Sequence, residues 1–203
     1  MFVVFEGPSG AGKSTLVAAV NQRLRGTSVN FHSYKFPSTE DIGVLCRAYA
    51  TRSDAKLTLA CLIAADFYRA FETVLKDVKS MLLLSDRYIV SAYVYQRMHG
   101  VSVDFLASLF SELPVPDITF VLQAPEDTLI ARRKPPTDIF KNRENIRREV
   151  ALYSDVLVTP PPRSGPFHVV SSDQTIDAIA DDLAERILRL WRANLKGACS
   201  DAT

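Results

Sequence analysis

The first residues that could do chemistry form a glycine-rich segment, Gly7-Pro-Ser-Gly-Ala-Gly-Lys-Ser14, which follows a short apolar run. Glycines at these positions let successive backbone N–H groups turn inward and form a nest for phosphate oxygens. A helix beginning at Lys13 would add the partial positive charge of its N-terminus. Lys13 could then reach the β- and γ-phosphates, and the Ser14 hydroxyl could ligate Mg²⁺. The nucleoside triphosphate contacts predicted here are Gly7, Ser9, Gly10, Ala11, Gly12, Lys13, Ser14 and Thr15.

A phosphate loop alone also fits GTPase switches and motor ATPases. A second segment, from Ser85 to Gln96, helps to distinguish a kinase from these classes of protein. Asp86 could hold Mg²⁺ or its water, and Arg87 could bind a second phosphate through two parallel hydrogen bonds. The spacing of the next polar residues places them on one helical surface, where they could bind a sugar and the edge of a base. These residues are Ser91, Tyr95 and Gln96. The alternative for Asp86 and Arg87 is a surface salt bridge, but their place at a strand end facing the phosphate loop favours kinase chemistry.

The elements that would position these residues alternate along the chain. Five short apolar runs predict strands at residues 2–6, 29–36, 81–85, 118–124 and 167–171. Apolar residues recurring at spacings of three and four predict helices over residues 13–24, 54–79 and 175–195. This alternation predicts an α/β fold whose parallel sheet has helices on both faces and binds ligands beyond the carboxyl ends of its strands. Since neither a repeat nor a linker interrupts the pattern, we expect one domain over residues 1–203 with a polar tail at about 196–203.

Further short motifs accompany the two segments. They are Phe5-Glu-Gly7, Phe36-Pro37, Ile42-Gly43, Ala65-Asp66, Asp86-Arg-Tyr88 with Ser91 and Tyr95-Gln96, and Pro116-Asp-Ile-Thr119. In these motifs the chain resembles the thymidylate kinase family of nucleoside monophosphate kinases over nearly its whole length. The block from Asp86 to Gln96 is the most specific part of the resemblance.

The resemblance implies a sheet order of 2-3-1-4-5, ATP with Mg²⁺ as the phosphoryl donor and a (deoxy)nucleoside monophosphate as the acceptor, with dTMP the first candidate. It assigns Lys13, Asp86 and Arg87 to catalysis, with Ser14 and Asp86 at the metal. It also implies that Arg87 contacts the acceptor phosphate, with Ser91, Tyr95 and Gln96 near the base and the deoxyribose. The full set of acceptor residues that we predict is Phe36, Pro37, Phe67, Arg69, Arg87, Ser91, Tyr95 and Gln96. Many relatives are dimers through helices that flank the sheet, so a homodimer is a further expectation.

A basic segment after the fourth strand is predicted to form a short, mobile lid over about residues 133–145. Some members of the family carry an arginine inside the phosphate loop, where this chain has Gly10. We therefore expect the lid to supply the cation that stabilises the transition state, through Arg133 and Arg143. The alternative for each of these arginines is a solvated basic helix end.

Four positions depart from the family pattern. Ser9 replaces the loop acid that the family uses near the acceptor sugar, and Phe67 replaces an arginine, with Arg69 two residues further on. Residues 36–41 contain no arginine for the acceptor phosphate, and Lys35 is the nearest cation. Gln123 stands where an aspartate is usual. We interpret this as an altered acceptor pocket, in either a specialised biosynthetic kinase or a housekeeping enzyme with compensating residues.

Charge and hydropathy limit the other classes of function. A formal net charge of +1 argues against nucleic acid as a partner. No apolar run reaches membrane-spanning length and no signal peptide is seen, so a cytoplasmic protein without a membrane partner is expected. Two alternatives stay open: a kinase of a nucleoside or another small acceptor, and a nucleotide-binding relative without catalysis. Arg87 opposes the first, because an unphosphorylated acceptor gives its guanidinium nothing to bind.

Overall fold

The computed structural model describes residues 1–52, 54–74, 81–132, 143–172 and 174–200, the side chains of Val74 and of residues 196–200 excepted. Within these residues the strands are β1 (Phe2–Glu6), β2 (Phe31–Lys35), β3 (Leu82–Asp86), β4 (Ile118–Gln123) and β5 (Phe167–Ser171). They form one sheet in the order β2-β3-β1-β4-β5, and each neighbouring pair is parallel. The predicted α/β fold and its strand order are confirmed.

The register of the sheet brings the two candidate segments to one edge. Phe5 in β1 is paired with Asp86 at the end of β3, and Lys35 at the end of β2 is paired with the same aspartate. Parallel strands place their carboxyl ends on one side, so the residues that follow β1, β2 and β3 surround a common site. This edge is where the candidate active site lies.

The helices are α1 (Lys13–Arg25), α2 (Asp41–Tyr49), α3 (Lys56–Arg69), α4 (Ile89–Met98), α5 (Val103–Leu109), α6 (Glu126–Arg132), α7 (Arg143–Val158) and α8 (Ile176–Ser200). The predicted helix over residues 54–79 instead ends at Arg69 and continues as a π-helical turn over Ala70–Val74. Residues 75–80 lie outside the description. The backbone of α8 is helical to Ser200, so it includes most of the stretch predicted as a tail.

Two apolar layers enclose the central strands. In β1, Val3 and Phe5 face the layer made by α1 and α8, whereas Phe2 and Val4 face the aromatic layer beneath α3 and α4. All five residues of β1 are buried, as expected for a strand covered on both faces. Each large apolar side chain that is buried in this way contributes about 1.5–3 kcal/mol to folding, so the site is built on a rigid frame. None of the described helices is both long and apolar enough to cross a membrane.

Candidate active site

The phosphate loop adopts a backbone conformation that requires glycine. Gly7, Gly10 and Gly12 have φ angles of 138°, 84° and 93°, in the region that other residues rarely adopt. A Cβ atom on Gly7 would also lie 2.5 Å from the carbonyl oxygen of Leu122 in β4. The loop therefore packs closely against β4 of the sheet, and α1 begins at Lys13, directly after Gly12.

Lys13 is oriented by the loop that it belongs to. Its side chain is buried, and its Nζ donates hydrogen bonds to the carbonyl oxygens of Gly7 at 2.5 Å and Pro8 at 2.7 Å. Burial lowers the pKa of Lys13 well below its usual value, and the charge of Arg87 lowers it further. A phosphate chain beside this ammonium would offset both effects, so the site favours an anionic ligand.

Ser14 and Asp86 meet as the sequence predicts. The Ser14 hydroxyl donates a 2.7 Å hydrogen bond to Oδ2 of Asp86, whereas Oδ1 of Asp86 is buried and has no hydrogen-bond partner among the described residues. A buried carboxylate oxygen in this state is costly unless a cation or water reaches it. Carboxylate, hydroxyl and phosphate oxygens are the ligands that Mg²⁺ prefers, so this pair of residues fits that ion.

Arg87 is held at the boundary between the phosphate loop and a neighbouring cavity. Its φ of 77° is unusual for a residue with a side chain. The guanidinium donates to Ser91 Oγ at 3.0 Å, to Tyr95 Oη at 3.1 Å and to Ser9 Oγ at 3.4 Å, and its carbon lies 5.2 Å from the centre of the Tyr95 ring. Arg87 is thus a pre-oriented cation with donors that can form paired bonds to a phosphate.

A buried carboxylate, Glu6, fixes the turn that positions Arg87. Glu6 Oε1 accepts hydrogen bonds from the backbone N–H groups of Tyr88 at 2.7 Å and Ser91 at 3.1 Å, and Oε2 accepts from the Ser91 hydroxyl. These donors belong to the first turn of α4, which has few backbone partners of its own. Burial raises the pKa of Glu6. Glu6 belongs to the Phe5-Glu-Gly7 motif, but no role was predicted for it from the sequence.

Glu149 is a functional candidate that was not predicted from the sequence. It lies in α7, is fully buried, and its Oε1 accepts 2.7 Å hydrogen bonds from the Ser9 backbone N–H and the Tyr95 hydroxyl. Burial raises the pKa of Tyr95 to about 12, so this hydroxyl stays protonated and donates. The signal was present: Ile146, Glu149 and Tyr153 recur on the buried stripe of α7, and a carboxylate on such a stripe needs specific partners.

We expect Glu149→Ala to lower the free energy of unfolding by about 2 kcal/mol, because it leaves two buried donors without their charged acceptor. Glu149→Gln keeps an acceptor oxygen and should cost about half as much. Urea denaturation measures both values. Glu144→Ala, at an exposed position of the same helix, is the control, and equal stability of all three variants would contradict the proposed role of these bonds.

A cavity of about 250 Å³ opens beside Arg87. Of the predicted acceptor residues, its wall includes Phe36, Pro37, Phe67, Arg87, Ser91, Tyr95 and Gln96. Most of the remaining wall is apolar, with Leu59, Ile63 and Ala92 among its residues. Gln96 contributes a buried amide oxygen to which no residue in the described part of the chain donates a hydrogen bond. The cavity can therefore take a flat apolar ligand that carries one polar edge.

Arg69 differs from its predicted place. It does not line the cavity, and its Nη2 lies 3.4 Å from Glu40 Oε2. Phe67, two residues before Arg69, lines the cavity, and its ring packs edge-on against that of Phe36 with 4.5 Å between the ring centres. Arg47 of α2 lines the cavity instead, where its Nη1 donates to the carbonyl oxygens of Pro37 at 3.0 Å and Ser38 at 2.7 Å.

The predicted lid is described only in part. Arg133 lies outside the described residues, and its role stays a prediction. Arg143 is the first residue of α7, is exposed, and is not one of the residues that line the acceptor cavity. A separate cavity of about 160 Å³ is lined by Ala11 of the phosphate loop, by Arg132 at the end of α6, by Gln174 and Thr175 just before α8, and by Ile176 at its start.

Comparisons with known proteins agree with this geometry. The family model described as thymidylate kinase matches residues 5–154, more than half of the 203-residue chain. A probable thymidylate kinase of Methanocaldococcus jannaschii is 32% identical over 77% of this chain and 81% of its own length. A probable thymidylate kinase of Caldivirga maquilingensis is 27% identical over 99% of this chain and 98% of its own length. One of Methanococcus aeolicus is 24% identical over 92% of this chain and 95% of its own length. The chain belongs to the thymidylate kinase family.

Proposed function

We propose that the chain transfers the γ-phosphoryl group of ATP to the 5′-phosphate of dTMP, giving dTDP and ADP. Membership of the family makes it a phosphotransferase that acts on nucleoside monophosphates. The observation that carries the choice of a phosphorylated acceptor is Arg87, a partly buried guanidinium held between the phosphate loop and the apolar cavity. A cation at that position needs an anion, and the phosphate of a nucleotide seated in the cavity would supply it.

On the donor side, the inward-facing amides of the loop and the Lys13 ammonium would bind the β- and γ-phosphates. Ser14 and Asp86 would hold Mg²⁺, which neutralises charge on the transferring phosphoryl group when it is bound. The smaller cavity next to Ala11, with the Arg132 side chain in its wall, is suited to the adenine ring. Arg133 and Arg143 are proposed to add positive charge in the transition state.

On the acceptor side, the thymine ring would lie against Phe36, Phe67 and Ala92, with the Gln96 amide bonded to its polar edge. Tyr95 and Ser9 would face the deoxyribose. Arg87 would orient the 5′-phosphate oxygen in line with the γ-phosphorus. Phosphoryl transfer needs little covalent chemistry from the protein, so this positioning and charge neutralisation would supply most of the acceleration.

A homodimer and a cytoplasmic location are part of the proposal. Val44 and Leu45 of α2 and Leu57 of α3 are about half exposed, with 52%, 47% and 52% of their surface open to solvent. Burial of such a patch between two copies would be favourable. Sedimentation equilibrium distinguishes the mass of one chain from that of two.

A panel of acceptors tests the function. With ATP and Mg²⁺, we expect dTMP to be phosphorylated with a kcat/KM about 10²-fold or more above that of thymidine, because only dTMP brings an anion to Arg87. ADP release and ion-exchange separation of dTDP measure the reaction, and excess EDTA should abolish it. Turnover of thymidine without turnover of dTMP would favour a nucleoside kinase, and turnover of neither, despite ATP binding, would favour the non-catalytic alternative.

A further inference from the structure

The Lys35 ammonium contacts the two oxygens that are proposed to bind the metal ion, Ser14 Oγ and Asp86 Oδ2. Lys35 is the last residue of β2, and its Nζ is 3.2 Å from Ser14 Oγ and 3.4 Å from Asp86 Oδ2. Those two oxygens are themselves joined by the 2.7 Å hydrogen bond. The ammonium therefore adds a positive charge beside Asp86, which also lies near the charges of Lys13 and Arg87, at the place where Mg²⁺ is proposed to bind.

The Lys35 ammonium can leave Asp86 at a small cost in free energy. The side chain of Lys35 is 62% exposed, while that of Asp86 is only 5% exposed. A lysine has a flexible stem and a compact charge, and a partly exposed ion pair contributes little stability. Since two cations repel each other at such short range, Mg²⁺ bound to Ser14 and Asp86 would displace the ammonium.

The acceptor phosphate is the destination that we consider for the displaced charge. Lys35 directly precedes Phe36 and Pro37, which line the acceptor cavity, and residues 36–41 contain no lysine or arginine. Arg47 is already bonded to two backbone carbonyl oxygens, and Arg69 is paired with Glu40. The segment that borders the cavity therefore has Lys35 as a cation that can move toward the phosphate.

We propose that Lys35 is a positioning residue with two sites: it neutralises Asp86 before the metal binds, and after displacement it binds the acceptor's 5′-phosphate opposite Arg87. The proposal rests on the proposed function for the identity of the acceptor. It makes metal loading and acceptor binding mutually favourable, because the metal frees the ammonium that the phosphate needs.

The proposal predicts effects of opposite sign for one substitution. Lys35→Met removes the competing cation, so Mn²⁺ without nucleotide should bind about 3- to 10-fold more tightly. The same variant loses a phosphate contact, so dTMP should bind about 10-fold more weakly to protein loaded with Mn²⁺ and ADP. Binding of thymidine should not change. The Lys35→Arg variant should bind both Mn²⁺ and dTMP with affinities close to those of the unsubstituted protein.

Electron paramagnetic resonance of free Mn²⁺ measures the first effect and isothermal titration calorimetry the second, both at fixed ionic strength. Lys56→Met, an exposed lysine of α3, controls for the loss of one positive charge, and Asp86→Asn identifies the Mn²⁺ site. Weaker or unchanged Mn²⁺ binding by Lys35→Met would overturn the proposal, as would unchanged dTMP binding. If the original chain binds no dTMP, the proposed acceptor is wrong, and the Mn²⁺ titration alone then supports or overturns the competition between Lys35 and the metal.

Discussion

Replacement of Lys13 by methionine should lower kcat by about 10³-fold, because it removes a pre-oriented cation from the phosphoryl group in transit. Lys13 Nζ is held by two loop carbonyl oxygens at 2.5 and 2.7 Å, so its charge needs no reorganisation during the reaction. Methionine keeps most of the side-chain volume and should leave the loop in place. Steady-state ADP release with dTMP as acceptor measures the change.

The stability of this variant separates a catalytic effect from damage to the fold. Burial and the charge of Arg87 lower the pKa of Lys13, so the protonated side chain costs folding free energy at neutral pH. We therefore expect Lys13→Met to have an unchanged or higher free energy of unfolding in urea. Lys56→Met is the matched control for activity. A variant at Lys13 that retains full kcat would rule out the phosphate-loop mechanism.

Replacement of Arg87 should reduce the preference for a phosphorylated acceptor more than any other change on the acceptor side. Arg87→Lys keeps the charge but loses the planar pair of donors, and kcat/KM for dTMP should fall about 10²-fold. Arg87→Ala should lose about 10³-fold and should also be less stable, because Glu6 and Asp86 lose a nearby positive charge. The activity with thymidine, which has no phosphate, should change little.

The ratio of kcat/KM for dTMP to that for thymidine is therefore the decisive measurement for Arg87. Arg97→Lys offers a matched control, since Arg97 lies in α4, the helix that begins two residues after Arg87, and pairs with Asp155 on the surface at 2.7 Å. Circular dichroism and thermal unfolding of the lysine variant check its fold. An Arg87→Lys enzyme with an unaltered ratio would show that another group recognises the acceptor phosphate.

Local patterns in the sequence were sufficient for the frame of this site. The buried run of β1, the glycines of the phosphate loop and the start of α1 at Lys13 follow from neighbouring residues, and the structure has them at the predicted positions. β5 also has its predicted bounds. The meeting of Ser14 with Asp86 followed from a rule of topology, since parallel strands end at one edge of the sheet.

Contacts between distant segments could not be obtained in the same way. Glu149 reaches Ser9 across 140 residues, and Lys35 reaches Asp86 from a different strand. Periodicity identifies the buried face of a helix but does not identify the group that it meets, because the partner depends on how helices pack on the sheet. Arg47 and Arg69 could not be told apart from the sequence for the same reason. Each lies in a helix that contributes residues to the cavity, and the direction of the side chain from its helix decides that Arg47 reaches the wall and Arg69 does not.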